Sequence, residues 1–373
     1  MNKLAFVINN IDFLLSHRLP ILLEAQGQGY EINVIAPGAK DDKRLLGYGF
    51  TCHNISLSRG GNNPVADIYT IYQLARVFKK IQPDIVHLVT IKPVLYGGLA
   101  ARLSGVPAVV AAVSGMGTVF ISHGIWSRIR RWLVAKIYCM VFKHKKIKVI
   151  FQNPDDRQII LDLKAIKEEQ TQIVKGSGVD LANYPFVPEK KVDTNVVVMA
   201  ARLLRDKGVY EFIDAARILK SRNVNVDMRL IGAPDPANPT SITDSEIQHW
   251  RAESLVQILG YRSDIAEQYA QANIICLPSY REGLPKGLIE ASACGRVVVT
   301  TDVPGCRDAI IPNVTGKLVK VRDAVALADA IQYLCEHPEE RLQMGKAGRN
   351  LAESTYSIDE VVNQHLQIYE QLC

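Results

Sequence analysis

Short apolar runs alternate with segments of helical period along almost the whole chain, and that alternation confines it to one fold class. Runs of strand length fall near residues 4–9, 31–36, 84–89, 108–113 and 148–152, then near 194–201, 226–231, 256–259, 273–277 and 296–300. Between them, apolar residues recur at helical spacing near 17–28, 64–81, 93–104 and 125–143, then near 208–221, 264–271, 286–294, 323–335, 338–353 and 357–372. The strand-like runs lack the apolar–polar alternation of a half-exposed sheet, so both of their faces must be covered. A helix after each strand predicts parallel sheets in an α/β architecture. The pattern resets once, in the polar, proline-containing stretch from Asn183 to Thr194 that follows Gly176-Ser177-Gly178-Val179-Asp180. A chain of 373 residues is also too long for one small core. Two Rossmann-like domains are expected, 1–180 and 181–356, followed by a C-terminal helix over 357–373.

Composition narrows the class. With 48% hydrophobic and 22% charged residues, the chain needs no fibrous or disordered reading. Its seven cysteines are scattered, with no C-x-x-C pair and no histidine cluster at zinc spacing, which predicts free thiols in a reducing cytosol and no bound metal. Only two residues precede the expected first strand, Lys3-Leu4-Ala5-Phe6-Val7-Ile8-Asn9, so no signal peptide is expected. Residues 104–127 contain no Lys, Arg, Asp or Glu, but Pro107, Gly115, Gly117 and Gly124 interrupt them. A buried strand and a glycine loop fit that stretch better than a membrane span.

Two places carry the chemistry. Met199-Ala200-Ala201-Arg202-Leu203-Leu204-Arg205-Asp206-Lys207-Gly208 ends one strand and opens a helix. Arg202 and Lys207 there suit a diphosphate, although either alone equally suits a solvated loop. Arg281-Glu282-Gly283-Leu284-Pro285-Lys286-Gly287-Leu288-Ile289-Glu290 sets two carboxylates across a strand-to-helix junction, with Gly295 ending the helix. Pro285 suits the first helical position, so backbone N–H groups should gather near Leu284–Gly287. An anion site flanked by acids that grip hydroxyls points to a nucleotide sugar.

In this order, Arg202, Lys207-Gly208, the Gly260-Tyr261-Arg262-Ser263-Asp264 turn and the Glu282/Glu290 pair resemble the signature of the retaining GT-B glycosyltransferases of family four. Gly178-Val179-Asp180 followed by Tyr184 adds to the likeness, which runs the full length. The resemblance implies two domains facing across a cleft, with the last helix returning to the first domain. It implies catalytic roles for Arg202, Lys207 and Glu282. Arg202 and Lys207 would hold the donor diphosphate and Glu290 the ribose hydroxyls. Glu282 would face the donor sugar, beside the backbone of Gly283, Leu284, Pro285 and Lys286. Tyr261 and Arg262 would frame the base. Retention is implied too, by attack on the face that the diphosphate leaves, a donor phosphate oxygen taking the acceptor's proton.

The first domain would take the acceptor. Asn9 to Pro20 contains no glycine, which removes a dinucleotide fingerprint. Ser16-His17-Arg18-Leu19-Pro20 resembles the branch of the family that acts on bacterial lipid-linked sugars. His17 is a candidate acceptor contact there, and equally a packing or capping histidine. Lys92, in Thr90-Ile91-Lys92-Pro93, is a candidate for the acceptor pyrophosphate. Gly115 and Gly117 form the turn after the fourth strand-like run, where several relatives carry a histidine and this chain has none before His123.

The net charge of +6 is regional. No Asp or Glu occurs between Asp84 and Asp155, and Trp126 to Lys148 interleaves apolar residues with Arg128, Arg130, Arg131, Lys136, Lys143, Lys145, Lys146 and Lys148. A basic amphipathic helix with Trp126 and Trp132 predicts contact with an anionic membrane surface. No nucleic-acid recognition motif accompanies it. The expectation is therefore a transferase of the cytoplasmic face, peripheral at the inner side of a bacterial membrane. It would move N-acetylgalactosamine or a similar sugar from a UDP-sugar to an undecaprenyl-diphosphate-linked saccharide, with no cofactor. A nucleotide-sugar 2-epimerase on the same fold and a non-catalytic basic membrane protein are the alternatives.

Overall fold

The computed structural model describes residues 2–57, 63–115, 125–189 and 194–373, with the backbone alone for 125–133. The chain divides into two units, Met1–Ser177 with Asp359–Cys373, and Gly178–Ile358. Each is built on a wholly parallel sheet.

The described strands of the first unit are β1 (Lys3–Val7), β2 (Glu31–Ala36), β3 (Thr51–Asn54), β4 (Ile85–Val89), β5 (Ala108–Val113), β6 (Ile147–Phe151) and β7 (Thr171–Ile173), in the order β3-β2-β1-β4-β5-β6-β7. Those of the second are β8 (Asn195–Ala200), β9 (Val226–Ile231), β10 (Val256–Gly260), β11 (Ile274–Leu277), β12 (Val297–Thr301) and β13 (Gly316–Val319), in the order β10-β9-β8-β11-β12-β13. Both sheets follow the doubly wound order, so each has a switch point where neighbouring connections diverge: between β1 and β4, and between β8 and β11. Every residue of β4, β5, β11 and β12 is buried, which is why these strands read as unbroken apolar runs.

The two-sheet α/β expectation holds, with local departures. Strands β3, β7 and β13 were not expected; each lies at or near a sheet edge and reads Thr-Cys-His-Asn, Thr-Gln-Ile and Gly-Lys-Leu-Val, too short or too polar to stand out. The helix foreseen over 17–28 is two helices, Ile11–His17 and Leu19–Gly27, broken at Arg18. Pro20 falls in the first turn of the second, where its missing N–H costs nothing. Asp244–Glu253 is a further helix with a capping box of Thr243 and Glu246, but it buries only Ile247 and Trp250, so its period is faint.

Helix Ile125–Phe142 turns part of its apolar surface to the core. Tyr138, Val141 and Phe142 are buried in the first core rather than turned outward. Gly98 lets this helix approach closely, since a Cβ there would collide with Val141. Lys136, Lys143, Lys145 and Lys146 are exposed. The side chains of Arg128, Arg130, Arg131 and Trp132 lie outside the described residues, as does Gly117. No helix among the described residues is long and apolar enough to cross a membrane.

Candidate active site

The second unit places Arg202, Lys207 and Glu282 in the segments that follow the carboxyl ends of β8 and β11. β8 runs out at Ala200, and Arg202 follows in a segment laced to the loop after β9. Leu203 donates to the Ala233 carbonyl at 2.9 Å and Arg205 to that of Thr240 at 2.8 Å, while Ile242 donates to the Leu203 carbonyl at 2.9 Å. This lacing presents Asp235 to Arg202, whose Nη1 donates to Oδ2 at 2.7 Å. The loop of Gly232 to Ser241, with no sequence signal of its own, therefore supplies the acid that orients Arg202.

Lys207 closes a short turn, Arg205–Lys207, before helix Val209–Ser221. Gly208 between them has φ +77, and a Cβ there would strike the Pro278 carbonyl. Tyr280 donates to the Asp206 carbonyl at 2.9 Å, so the segment after β8 is stitched to the segment after β11. In that junction Lys207 Nζ meets Glu282 Oε1 directly, and Ser279 Oγ donates to the same oxygen at 2.7 Å. Both charged groups are largely screened from solvent, with side-chain exposures of 20% and 13%.

Glu282 and Gly283 rest on the turn after β12. The Glu282 N–H donates to Pro304 at 3.2 Å, and Gly305 sits against the loop with φ +82. A Cβ at Gly305 would lie 2.5 Å from the Glu282 carbonyl oxygen and 2.6 Å from that of Gly283. Gly305→Ala is therefore expected to displace the Glu282 loop and to cost about 1–3 kcal/mol of stability. Thermal unfolding and donor affinity, measured together, should both fall.

Pro285 caps helix Lys286–Ala293, so the helix starts one residue later than the sequence pattern suggests. Its N-terminus follows the end of β11 and carries the partial positive charge that favours anions. Its other end is closed by Gly295 at φ +70, with Arg296 donating to Ala291 and Gly295 to Ser292. Glu290 is buried on this helix. Tyr184 Oη donates to its Oε1 at 2.7 Å, and Lys286 Nζ lies 3.4 Å from the same oxygen. Burial raises the Glu290 pKa above the ordinary carboxylate value, against the opposing pull of Lys286 and Tyr184. Tyr184 was visible in the sequence only as the aromatic after Gly178-Val179-Asp180. Tyr261 is 80% exposed beside β10, and Arg262 pairs with Asp264 at 2.5 Å.

Of the acceptor candidates, Lys92 is half-buried, 3.7 Å from Asp67 on helix Pro64–Ile81. Thr90, just before it at the end of β4, has φ +77, uncommon for a β-branched residue. Its buried hydroxyl has no partner among the described residues. His17 stacks on Phe13 with ring centroids 4.2 Å apart and shares a 2.7 Å hydrogen bond with Ser16. Gly115 follows β5 with φ +113. Arg18 is buried and reaches the Gly176 carbonyl at 3.4 Å and Ser114 Oγ at 3.5 Å, its pKa lowered by burial to about 10.

The chain is similar to known proteins along most of its length. Residues 3–153 match the family described as "Glycosyl transferase 4-like" and residues 181–351 the family "Glycosyl transferases group 1". The chain is 29% identical over 369 residues to N,N'-diacetylbacillosaminyl-diphospho-undecaprenol alpha-1,3-N-acetylgalactosaminyltransferase of Campylobacter jejuni, covering 95% of each. It is 23% identical over 329 residues to UDP-Gal:alpha-D-GlcNAc-diphosphoundecaprenol alpha-1,3-galactosyltransferase of Escherichia coli, covering 85% of this chain and 81% of that one. Among solved structures, sucrose-phosphate synthase of Thermosynechococcus elongatus shares the fold with a TM-score of 0.81 at 19% identity, over 100% of this chain and 99% of that one.

Proposed function

We propose that this chain, which belongs to the group 1 and 4-like glycosyl transferases of the GT-B fold, moves a sugar with retention of configuration from a UDP-sugar to an undecaprenyl-diphosphate-linked saccharide. The observation that carries the donor half is the meeting of Lys207 and Glu282 at the β8/β11 switch point. An ammonium has three donors, so Lys207 can keep Glu282 and still receive a phosphate oxygen. Arg202, held by Asp235, keeps further donors for the same diphosphate. The two cations then neutralise charge as the glycosidic bond to the diphosphate breaks, which is the catalytic work required of them.

Around that centre, Glu282 accepts from hydroxyls of the donor sugar and Glu290 from the ribose. The backbone of Gly283, Leu284, Pro285 and Lys286 lies beside phosphate and sugar, and Tyr261 and Arg262 frame the base. The proton of the acceptor hydroxyl goes to a donor phosphate oxygen on the face of attack. On the acceptor side, His17, Lys92, Gly115 and Gly117 serve the lipid-linked saccharide. Two relatives support this choice of acceptor, since both names describe transfer to a diphosphoundecaprenol-linked sugar. UDP follows the Escherichia coli relative, and N-acetylgalactosamine the Campylobacter one. A polyisoprenyl acceptor calls for work at a membrane, so we place the protein at the inner face, with Lys136, Lys143, Lys145 and Lys146 among its lipid contacts and Arg128, Arg130, Arg131 and Trp132 beside them.

The test is a panel of UDP-sugars with and without undecaprenyl-diphosphate-linked saccharides, read by product mass and by the anomeric configuration of the new linkage. One UDP-sugar should yield an acceptor extended by one residue, with the donor's anomeric configuration kept. An altered UDP-sugar formed with no acceptor would instead identify the epimerase.

A further inference from the structure

Helix Pro64–Ile81 has two apolar faces, and the core uses one of them. Thr70, Leu74, Phe78 and Ile81 are buried, at the spacing of a single stripe. On the opposite side, Val65, Ile68, Tyr69 and Tyr72 are all exposed, Val65 by 76% and Ile68 by 67%. At 100° per residue these four fall within about a third of the circumference, and Arg76, Lys79 and Lys80 continue the same stripe to the C-terminal end, also exposed. The Tyr69 and Tyr72 rings stack, with Arg76 over Tyr72 at 5.8 Å. The helix has one acid, Asp67, which faces Lys92 away from this stripe.

The surface extends beyond one helix. Ser104 Oγ donates to the Ala75 carbonyl at 3.1 Å, which docks helix Gly98–Ser104 beside it and leaves Leu103 71% exposed. Arg102 donates in turn to the Met140 carbonyl of helix Ile125–Phe142, where the Met140 side chain is exposed. Neither of these two helices contains an acid. An apolar and aromatic stripe continued by cations, with no acid, matches the boundary between acyl chains and anionic headgroups. A second copy of the chain would set like charges against each other on such a face.

We propose that the outer face of helix Pro64–Ile81 docks on lipid alongside the basic region already assigned: Ile68, Tyr69 and Tyr72 enter an anionic bilayer and Arg76, Lys79 and Lys80 hold its headgroups. The proposal deepens the lipid-linked reading above, and its test needs neither donor nor acceptor, so the two stand or fall separately.

The full-length protein is sedimented with vesicles of phosphatidylethanolamine containing about one part in four of phosphatidylglycerol, and with vesicles lacking the anionic lipid. Two triple variants are compared with wild type: Ile68→Ser/Tyr69→Ser/Tyr72→Ser, and Arg76→Glu/Lys79→Glu/Lys80→Glu. Wild type should bind the anionic vesicles. The serine variant should bind at least about tenfold more weakly. The glutamate variant should bind about a hundredfold more weakly at low salt, with the difference shrinking as salt rises. All six side chains are exposed, so the unfolding midpoints should stay at the wild-type value. Absence of wild-type binding, or wild-type binding by either variant, overturns the proposal. Loss of self-association with vesicle binding intact would assign the face to a second copy, and overturns it as well.

Discussion

Lys207→Ala is expected to lower kcat/KM for the nucleotide sugar by about 10²–10³-fold, with most of the loss in kcat. Charge on the diphosphate grows as the glycosidic bond breaks, so a cation fixed beside it stabilises the transition state more than the bound donor. Lys207 is fixed on both sides: the Gly208 turn lodges against Pro278, and its Nζ meets Glu282. Removing the ammonium also strips Glu282 of its cation in a largely covered position, leaving Ser279 as its side-chain partner. Lys207→Ala and Glu282→Ala should for that reason be strongly non-additive, the double variant losing much less than the product of the single losses. Steady-state kinetics of the two single variants and the double variant measure this directly.

The second large effect belongs to Glu290. Glu290→Ala is expected to weaken donor binding by about 10–100-fold, because the buried carboxylate proposed to accept the ribose hydroxyls is lost. The pH dependence makes the role specific. In the proposed role the ionised form accepts both hydroxyls, and burial has raised the Glu290 pKa. Donor kcat/KM should therefore fall on the acid side, at a pH above the ordinary carboxylate value. The Tyr184 hydroxyl pulls that pKa down by donating to Oε1 at 2.7 Å. Tyr184→Phe removes the pull, so the acid limb should move to higher pH. Glu290→Gln should lose the limb altogether. Profiles of kcat/KM from about pH 5 to pH 8 for the three proteins test the sign as well as the size.

What could be read in the sequence was local. The strand Ile274–Leu277, the helix that carries Glu290 and its stop at Gly295 are each set by neighbours within a few residues, through apolar runs, a proline and a left-handed glycine. The partners of the site residues were not legible. Lys207 and Glu282 meet because β8 and β11 are adjacent, and only strand order makes them so. Asp235 reaches Arg202 through a loop that Ala233, Thr240 and Ile242 hold to Leu203 and Arg205 by three backbone hydrogen bonds, which no local pattern announces. Gly305 is a backstop for Glu282 from another strand end, and a lone glycine in a loop carries no mark of what rests on it.

The basic region shows the same division. Its lack of acids is plain in the sequence, but which side of helix Ile125–Phe142 meets the core is not, since cations and apolar residues are spread around it. Tyr138, Val141 and Phe142 went inward because helix Gly98–Ser104 and the turn Pro93–Gly97 before it were there to receive them. Helix Pro64–Ile81 was visible as a helix for its buried stripe. Its second apolar face became informative only once the first was seen to be used.

The central proposal is that the strand ends of the second unit form the donor site. Turnover of a UDP-sugar, by hydrolysis or by transfer to a lipid-linked acceptor, measured for wild type, Glu282→Ala and Arg202→Ala, tests that claim most directly. The account predicts a loss of at least about tenfold in each variant, with the folded state intact by thermal unfolding. Wild-type turnover in both variants would contradict it.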